Sequence, residues 1–314
     1  MKIAVCTTYY NPCCWATKKE NYDLFSRALV NQGGDLWVAT TETEDVFPDQ
    51  DGVNIVRVEQ GERFLWQKEK LLNLILRQLP AEYTGIVWTD CDVLYDSQTW
   101  LEDLSPLLEE HQIVQCFEIA FWLNEHFVPA SWQKYARPDK LPAIFRPSLA
   151  KWYYDNQTFQ LRWSHPGLAW AARREVIQQI GGFYDCNIVG GGDTVMSAGF
   201  FGETSKKTGL LEEQEDQWIS NTHNIVQGDV GWLPIQVRHL WHGSRDSRKY
   251  NERYNVLIHY GFNPEHHLVE NESGLWEWSD AASDDLKQYT QAYFKHRQED
   301  SLVFRNRLYK RHTK

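Results

Sequence analysis

Three carboxylates, Asp90, Asp92 and Asp96, stand at the end of an apolar, β-branched run in "GIVWTDCDVLYD", residues 85–96. On an extended chain alternate side chains point the same way, so Asp90 and Asp92 are expected to share one face at a strand end. Two such oxygen donors can hold a hard divalent cation, Mn²⁺ or Mg²⁺, that keeps positions open for a phosphate-bearing ligand. An Asp-x-Asp triplet is also what a solvated turn looks like, so it needs company. The stretch "VRHLWHGSRDSRKY" supplies it. His239 and His242 are spaced for a tight turn or one helical face, and a neutral imidazole is a metal ligand. Arg245, Arg248 and Lys249 follow at once, the cations a diphosphate requires, with Arg adding a forked donor. In "DCNIVGGGDTV", Gly190, Gly191 and Gly192 let backbone approach a ligand closely, and Asp193 opens a helix, where its charge is favoured. Asp193 is therefore either a helix cap or a general base for a hydroxyl proton.

These residues need a scaffold, and the pattern predicts one. "KIAVCTTYY" reads as a strand and "NYDLFSRALVNQGG" as an amphipathic helix stopped by glycines. Strands follow in "DLWVATT" and "NIVRVE", then a long helix over "FLWQKEKLLNLILRQLP", ended near Pro80. "TGIVWTDCDVLY" is predicted as one strand, "WLEDLSPLLEEH" as a helix, "IVQCFEIAF" as a strand, and "SHPGLAWAARREVIQQIGGFYD" as a strand and helix. Alternating strands and helices imply a doubly wound, mostly parallel α/β sheet, whose ligands sit beyond the carboxyl ends of its strands. Thr7, Thr8 and Asp90 to Asp92 fall at such ends. Between about residues 124 and 164 the alternation gives way to Pro, Trp and Tyr, read as a loop-rich insertion that walls a pocket or adds core. From about Asp284 an amphipathic stretch leads into "RNRLYKRHTK", five Lys or Arg and no acid, a basic helical tail.

Composition removes whole classes. With 42% hydrophobic residues over 314 positions the chain can bury a full core. No stretch is long and apolar enough for a membrane span, and the first residues are too short for a signal peptide, so a cytoplasmic protein is expected. Six cysteines without paired CxxC knuckles point to reduced thiols. A net charge of −11 opposes a surface that embraces nucleic acid, although the basic tail leaves a local DNA contact open. A nicotinamide oxidoreductase is disfavoured because no GxGxxG follows the first strand.

Taken together, the motifs resemble those of GT-A glycosyltransferases, in particular family-2-like enzymes and the β-1,4-galactosyltransferase and polypeptide N-acetylgalactosaminyltransferase group. "GGGD" is similar to that group's glycine-glycine-acid segment, and "HLWHGSRD" to the galactosyltransferases' Met-x-x-His followed by Ser-Arg-Asp. The resemblance covers most of the chain to about residue 260 and implies a GT-A domain over 1–260. Its nucleotide half would be 1–96 and its acceptor and metal half 97–260, with a C-terminal tail over 261–314. It implies Asp92, His242 and His239 as metal ligands, and Asp193 as the base of an inverting transfer. Thr7, Thr8, Tyr9, Lys68, Asn73, Asp90, Gly191, Gly192, Arg245 and Arg248 would then surround the donor. A nucleotide-sugar, a UDP-sugar first, is the implied donor. The acceptor is a hydroxyl on a saccharide or, as an alternative, on a modified DNA base. "GGGDTV" lacks the dense acids of the group's "GGEDDD", and His239 replaces a Met, which hardens the site toward Mg²⁺ as well as Mn²⁺. A metal-dependent phosphatase or nuclease and a carbohydrate-binding protein are the rival classes.

Overall fold

The computed structural model describes residues 1–124, 145–203, 212–244, 246–249 and 252–300. In chain order its elements are β1 (Ile3–Tyr9), α1 (Ala16–Asn31), β2 (Asp35–Thr40), β3 (Val53–Arg57), α2 (Lys68–Gln78), β4 (Gly85–Thr89), β5 (Val93–Tyr95), α3 (Trp100–Glu110), β6 (Ile113–Gln115) and β7 (Ile119–Trp122). The second half holds β8 (Phe145–Pro147), α4 (Leu149–Asn156), β9 (Ala169–Arg173), α5 (Arg174–Ile180), α6 (Gly192–Phe201), α7 (Glu212–Val226), β10 (Val230–Trp232), β11 (Gln236–His239), α8 (Arg253–His259), α9 (Pro264–His267), β12 (Leu268–Glu270), β13 (Trp276–Trp278) and α10 (Asp284–His296).

Seven strands form the central sheet in the order β10-β6-β9-β4-β1-β2-β3. All pair in parallel except β9, which runs antiparallel to both β4 and β6. This is the mostly parallel, doubly wound α/β sheet that the sequence predicts. Strand alternation splits the core in two. Along β1, Ala4 and Cys6 face a layer with α2, α5, α6 and α10, whereas Val5 and Tyr9 face one with α1 and α3. The residues beyond 260 share the first of these cores: Leu268, Leu275, Leu286 and Phe294 pack in the same cluster as Ala4 and Leu71.

The expected single strand over 85–95 is two strands in two sheets. β4 stays in the central sheet, a turn at Asp90–Asp92 breaks the ladder, and β5 enters a second sheet of order β5-β11-β7-β8. The run "IVQCFEIAF" divides in the same way into β6 and β7. The insertion is less loop-rich than expected, since β8 and α4 occupy its second part; residues 125–144 lie outside the described residues. The amphipathic stretch from Asp284 is α10, capped by Ser283 Oγ accepting from Leu286 N–H at 3.3 Å. The basic end over 305–314 lies outside the described residues. No helix among the described residues is long and apolar enough to cross a membrane.

Candidate active site

The second sheet brings together the side chains that could hold a metal ion. β11 pairs antiparallel with β5 so that His239 stands opposite Val93, and Leu240 N–H donates to Asp92 O at 2.8 Å. That register delivers His239 beside Asp92, and the loop after β11 turns His242 back onto both. His239 Nε2 lies 3.5 Å from Asp92 Oδ1, His242 Nδ1 3.4 Å from Asp92 Oδ2, and the two Nε2 atoms 2.9 Å apart. One potential ligand atom from each of the three residues falls within 4.8 Å of the others. Asp92 and His239 are buried, and Asp92 Oδ1 has no hydrogen-bond partner. A buried carboxylate oxygen left unsatisfied costs stability unless something binds it. Burial, followed by the Arg248 cation, holds His242 well below the ordinary imidazole value, so it stays neutral with a lone pair to give. One carboxylate and two imidazoles suit Mn²⁺, with Mg²⁺ admitted by the hard oxygen. Among the described residues this is the one cluster of that kind.

Asp90 and Asp92 sit in one turn, and His239, which lies against Asp92, also acts on Asp90 through its charge. Asp90 pairs with Lys68 Nζ at the start of α2. Its backbone N–H donates at 2.8 Å to Leu168 O, and Leu168 takes φ +75°, a conformation rare for an L side chain. Burial opposes both charges of this pair, yet Lys68 pulls the Asp90 carboxyl below its ordinary value and Asp90 leads the groups that raise Lys68. Asp193 lies in the first turn of α6, half-buried, with its carboxylate against Gly167, where any Cβ would clash with Oδ2. It acts on both Lys68 and Glu69 through its charge.

The other sequence candidates divide. Thr8 is buried at the β1 end, while Thr7 Oγ1 is spent on Thr89 O at 2.7 Å. Tyr9 is a core residue: its ring stacks on Phe47 at 4.5 Å and meets Tyr22 edge-on at 5.3 Å. Strand alternation turns it to the α1 side, so it offers no face to a base. Asn73 is committed to structure, its amide donating to Phe183 O and Asp185 Oδ2 and accepting from Phe183 N–H, all at 2.9–3.0 Å. Gly191 and Gly192 are needed for packing within the chain. A Cβ on Gly191, whose φ is +104°, would clash with the Tyr254 hydroxyl, and one on Gly192 with the Glu69 carboxylate. Arg248 donates to His242 O at 3.0 Å and so braces the histidine loop. Arg245 lies outside the described residues.

Several site residues were not singled out by the sequence reading. Lys18 and Arg297 add positive charge around His242, and His165 acts on Asp90. Neither α1 nor the end of α10 carries a local signal for this. Glu69 had one: it sits three residues before Leu72, on the apolar face of α2, and is 3% exposed. Burial first, then the neighbouring Asp193 and Asp90 carboxylates against the pull of Lys68, raises Glu69 from its ordinary 4.5 to about 7. The folded protein therefore holds this proton more tightly than the unfolded chain. Its contribution to stability is complete below pH 4.5 and is lost as the pH rises through about 7, a change on the order of 3 kcal/mol. Glu69→Gln is expected to flatten the fall in stability over that window, as read by urea unfolding at pH 5 and pH 8. An equal fall in both proteins contradicts the assignment.

No family model and no curated protein matches the chain. Solved structures do. Staphylococcus aureus TarS 1–349 aligns over 94% of this chain and 71% of its own, at 11% identity and a TM-score of 0.40. Mycobacterium tuberculosis glucosyl-3-phosphoglycerate synthase, in complex with Mg²⁺ and UDP, aligns over 85% and 82% at 16% identity and a TM-score of 0.42. The Pyrobaculum calidifontis mannosyltransferase PcManGT, in complex with GDP-Man and Mn²⁺, aligns over 81% and 62% at 12% identity and a TM-score of 0.43.

Proposed function

We propose that this chain is a metal-dependent glycosyltransferase that moves a sugar from a nucleotide-sugar, a UDP-sugar first, to a hydroxyl acceptor with inversion at the anomeric carbon. The observation that carries the reading is the buried Asp92 carboxylate, with His239 at its orphaned Oδ1 and His242 at Oδ2, beside the carboxyl ends of β1 and β4. Asp92, His239 and His242 would hold Mn²⁺ or Mg²⁺, which when bound supplies the charge that a departing diphosphate needs. Lys68 and Asp90 form a fixed pair beside it, able to donate to and accept from ribose or sugar hydroxyls. Arg248 keeps the His242 loop in place. Asp193 would take the proton of the acceptor hydroxyl while its oxygen attacks the anomeric carbon. The bond from that carbon to the diphosphate oxygen breaks, its electron pair leaves with UDP, and attack from the opposite face inverts the centre.

A two-metal phosphatase or nuclease fits less well, because the described residues bring together a single cluster of one carboxylate and two imidazoles. Incubation with Mn²⁺ and a panel of labelled UDP-sugars and saccharide acceptors separates the classes. UDP release coupled to a glycoside of opposite anomeric configuration, abolished by EDTA and restored by metal, is expected. Inorganic phosphate release without sugar transfer contradicts the proposal.

A further inference from the structure

The loop that carries His242 is held between α1 and the last described residues of the chain. On one side Asn21 of α1 donates from Nδ2 to Trp241 O at 2.8 Å. On the other, residues 297–299 lie directly on Gly243: a Cβ built there would meet Arg297 O at 3.0 Å, Gln298 O at 3.2 Å and Glu299 Cα at 3.3 Å. α10 delivers this segment from the core, in which Leu286, Tyr293 and Phe294 are buried. Two bonds then fix its course. Arg297 Nε donates to Glu299 Oε1 at 2.6 Å, with both residues buried, and Asp300 Oδ1 accepts from Thr17 N–H at 3.1 Å. That second bond caps a helix. Trp15, at the N-cap of α1, offers no side-chain acceptor, and Asp300 supplies one from 283 residues away. The first N–H groups of a helix need acceptors and favour negative charge. The Glu299 carboxylate also acts on Lys18 and Arg248, which with Arg297 are the cations around His242. Cations oppose a divalent ion, so a buried acid among them favours its binding.

We propose that residues 297–300 form a clasp that positions His242 for metal binding, with Glu299 and Asp300 as positioning residues that act through the loop. The segment ties α10 to α1 across the backbone next to His242. Its role in metal binding rests on the reading of Asp92, His239 and His242 as the metal site; the clasp itself does not. The three ligands differ in how they are held. His239 lies in the β5–β11 ladder and Asp92 is bonded to its extension at Leu240. His242 stands beyond the ladder, so loss of the clasp is expected to displace it and leave the other two in place.

Mn²⁺ titration of the full-length protein followed by EPR tests this without any turnover, with hydrogen–deuterium exchange of the metal-free protein alongside. Asp300→Ala and Glu299→Ala are expected to bind Mn²⁺ at least about 10-fold more weakly than the wild type, the low end for losing an outer partner of a metal ligand. Both should also exchange the amides of residues 241–244 faster. Asp300→Asn keeps an oxygen for the Thr17 N–H and should restore most of the affinity. Leu286→Ala, a core loss on α10 away from the clasp, should lower the urea midpoint and leave Mn²⁺ affinity unchanged. Should Glu299→Ala fail to fold because Arg297 is left buried and uncompensated, Asp300→Ala carries the test. Where the wild type binds Mn²⁺, unchanged affinity in Asp300→Ala, or an equal loss in Leu286→Ala, overturns the proposal. Where it does not bind, the metal reading falls. The clasp then stands if residues 241–244 exchange faster in Asp300→Ala and falls if they do not.

Discussion

Asp193→Asn is expected to lower kcat for sugar transfer by about 10²–10⁴-fold, the usual range for losing a general base, with metal-dependent UDP affinity unchanged. The asparagine matches the size of the aspartate and keeps its place against Gly167, where the fit is too tight for any Cβ. What it loses is the carboxylate that receives the acceptor's proton in the proposed reaction. Because Asp193 lies on α6 and the proposed ligands Asp92, His239 and His242 cluster where β5 starts and β11 ends, the two proposed functions are separable by substitution. Single-turnover kinetics with saturating donor reads the chemical step directly. Wild-type turnover in Asp193→Asn would remove the base, and loss of UDP affinity alongside it would show that Asp193 belongs to the donor site.

Asp92→Ala should have the second large effect, of a different kind: UDP affinity in Mn²⁺ falls by more than about 100-fold, since losing even an outer partner of a metal ligand costs 10–100-fold. Stability should move the other way. Asp92 Oδ1 is buried with no hydrogen-bond partner, and such a group costs about 1–3 kcal/mol. Metal-free Asp92→Ala is therefore expected to unfold at the same urea concentration as the wild type or a higher one. Added Mn²⁺ should stabilise the wild type and leave the variant unmoved. A carboxylate kept for structure would give the opposite result, a destabilised variant with or without metal.

How far the sequence reached depends on whether a signal is local. Strand and helix order follows from periodicity and glycine stops, so the sheet and most of its helices were legible. The ends of β4 and β6 were not, because "TGIVWTDCDVLY" and "IVQCFEIAF" stay apolar across a point where the chain changes sheets. That change shapes the site: Asp92 meets the histidines where the chain changes sheets, and Asp90 just before it bonds to Lys68. The trio was within reach because a His pair followed by basic residues is a compact motif. Tyr9 and Asn73 carry suitable chemistry near suitable places, but the face of a strand and a tertiary hydrogen bond to Phe183 decide their roles. The Gly190–Gly192 run was legible as a requirement for close approach, while the approaching groups, Trp66, Tyr254 and Glu69, come from other parts of the chain. Glu69 itself was hidden between two lysines in "QKEKLL", where charge spoke for surface and only the helical period spoke for burial.

The central claim is that Asp92, His239 and His242 hold a divalent cation that makes a nucleoside diphosphate site. Calorimetric titration with UDP, in Mn²⁺, in Mg²⁺ and in EDTA, tests it most directly when repeated on His242→Ala. Binding in either metal, none in EDTA and none in the variant is the predicted result. UDP binding that ignores EDTA and survives His242→Ala, or no binding under any condition, would contradict it.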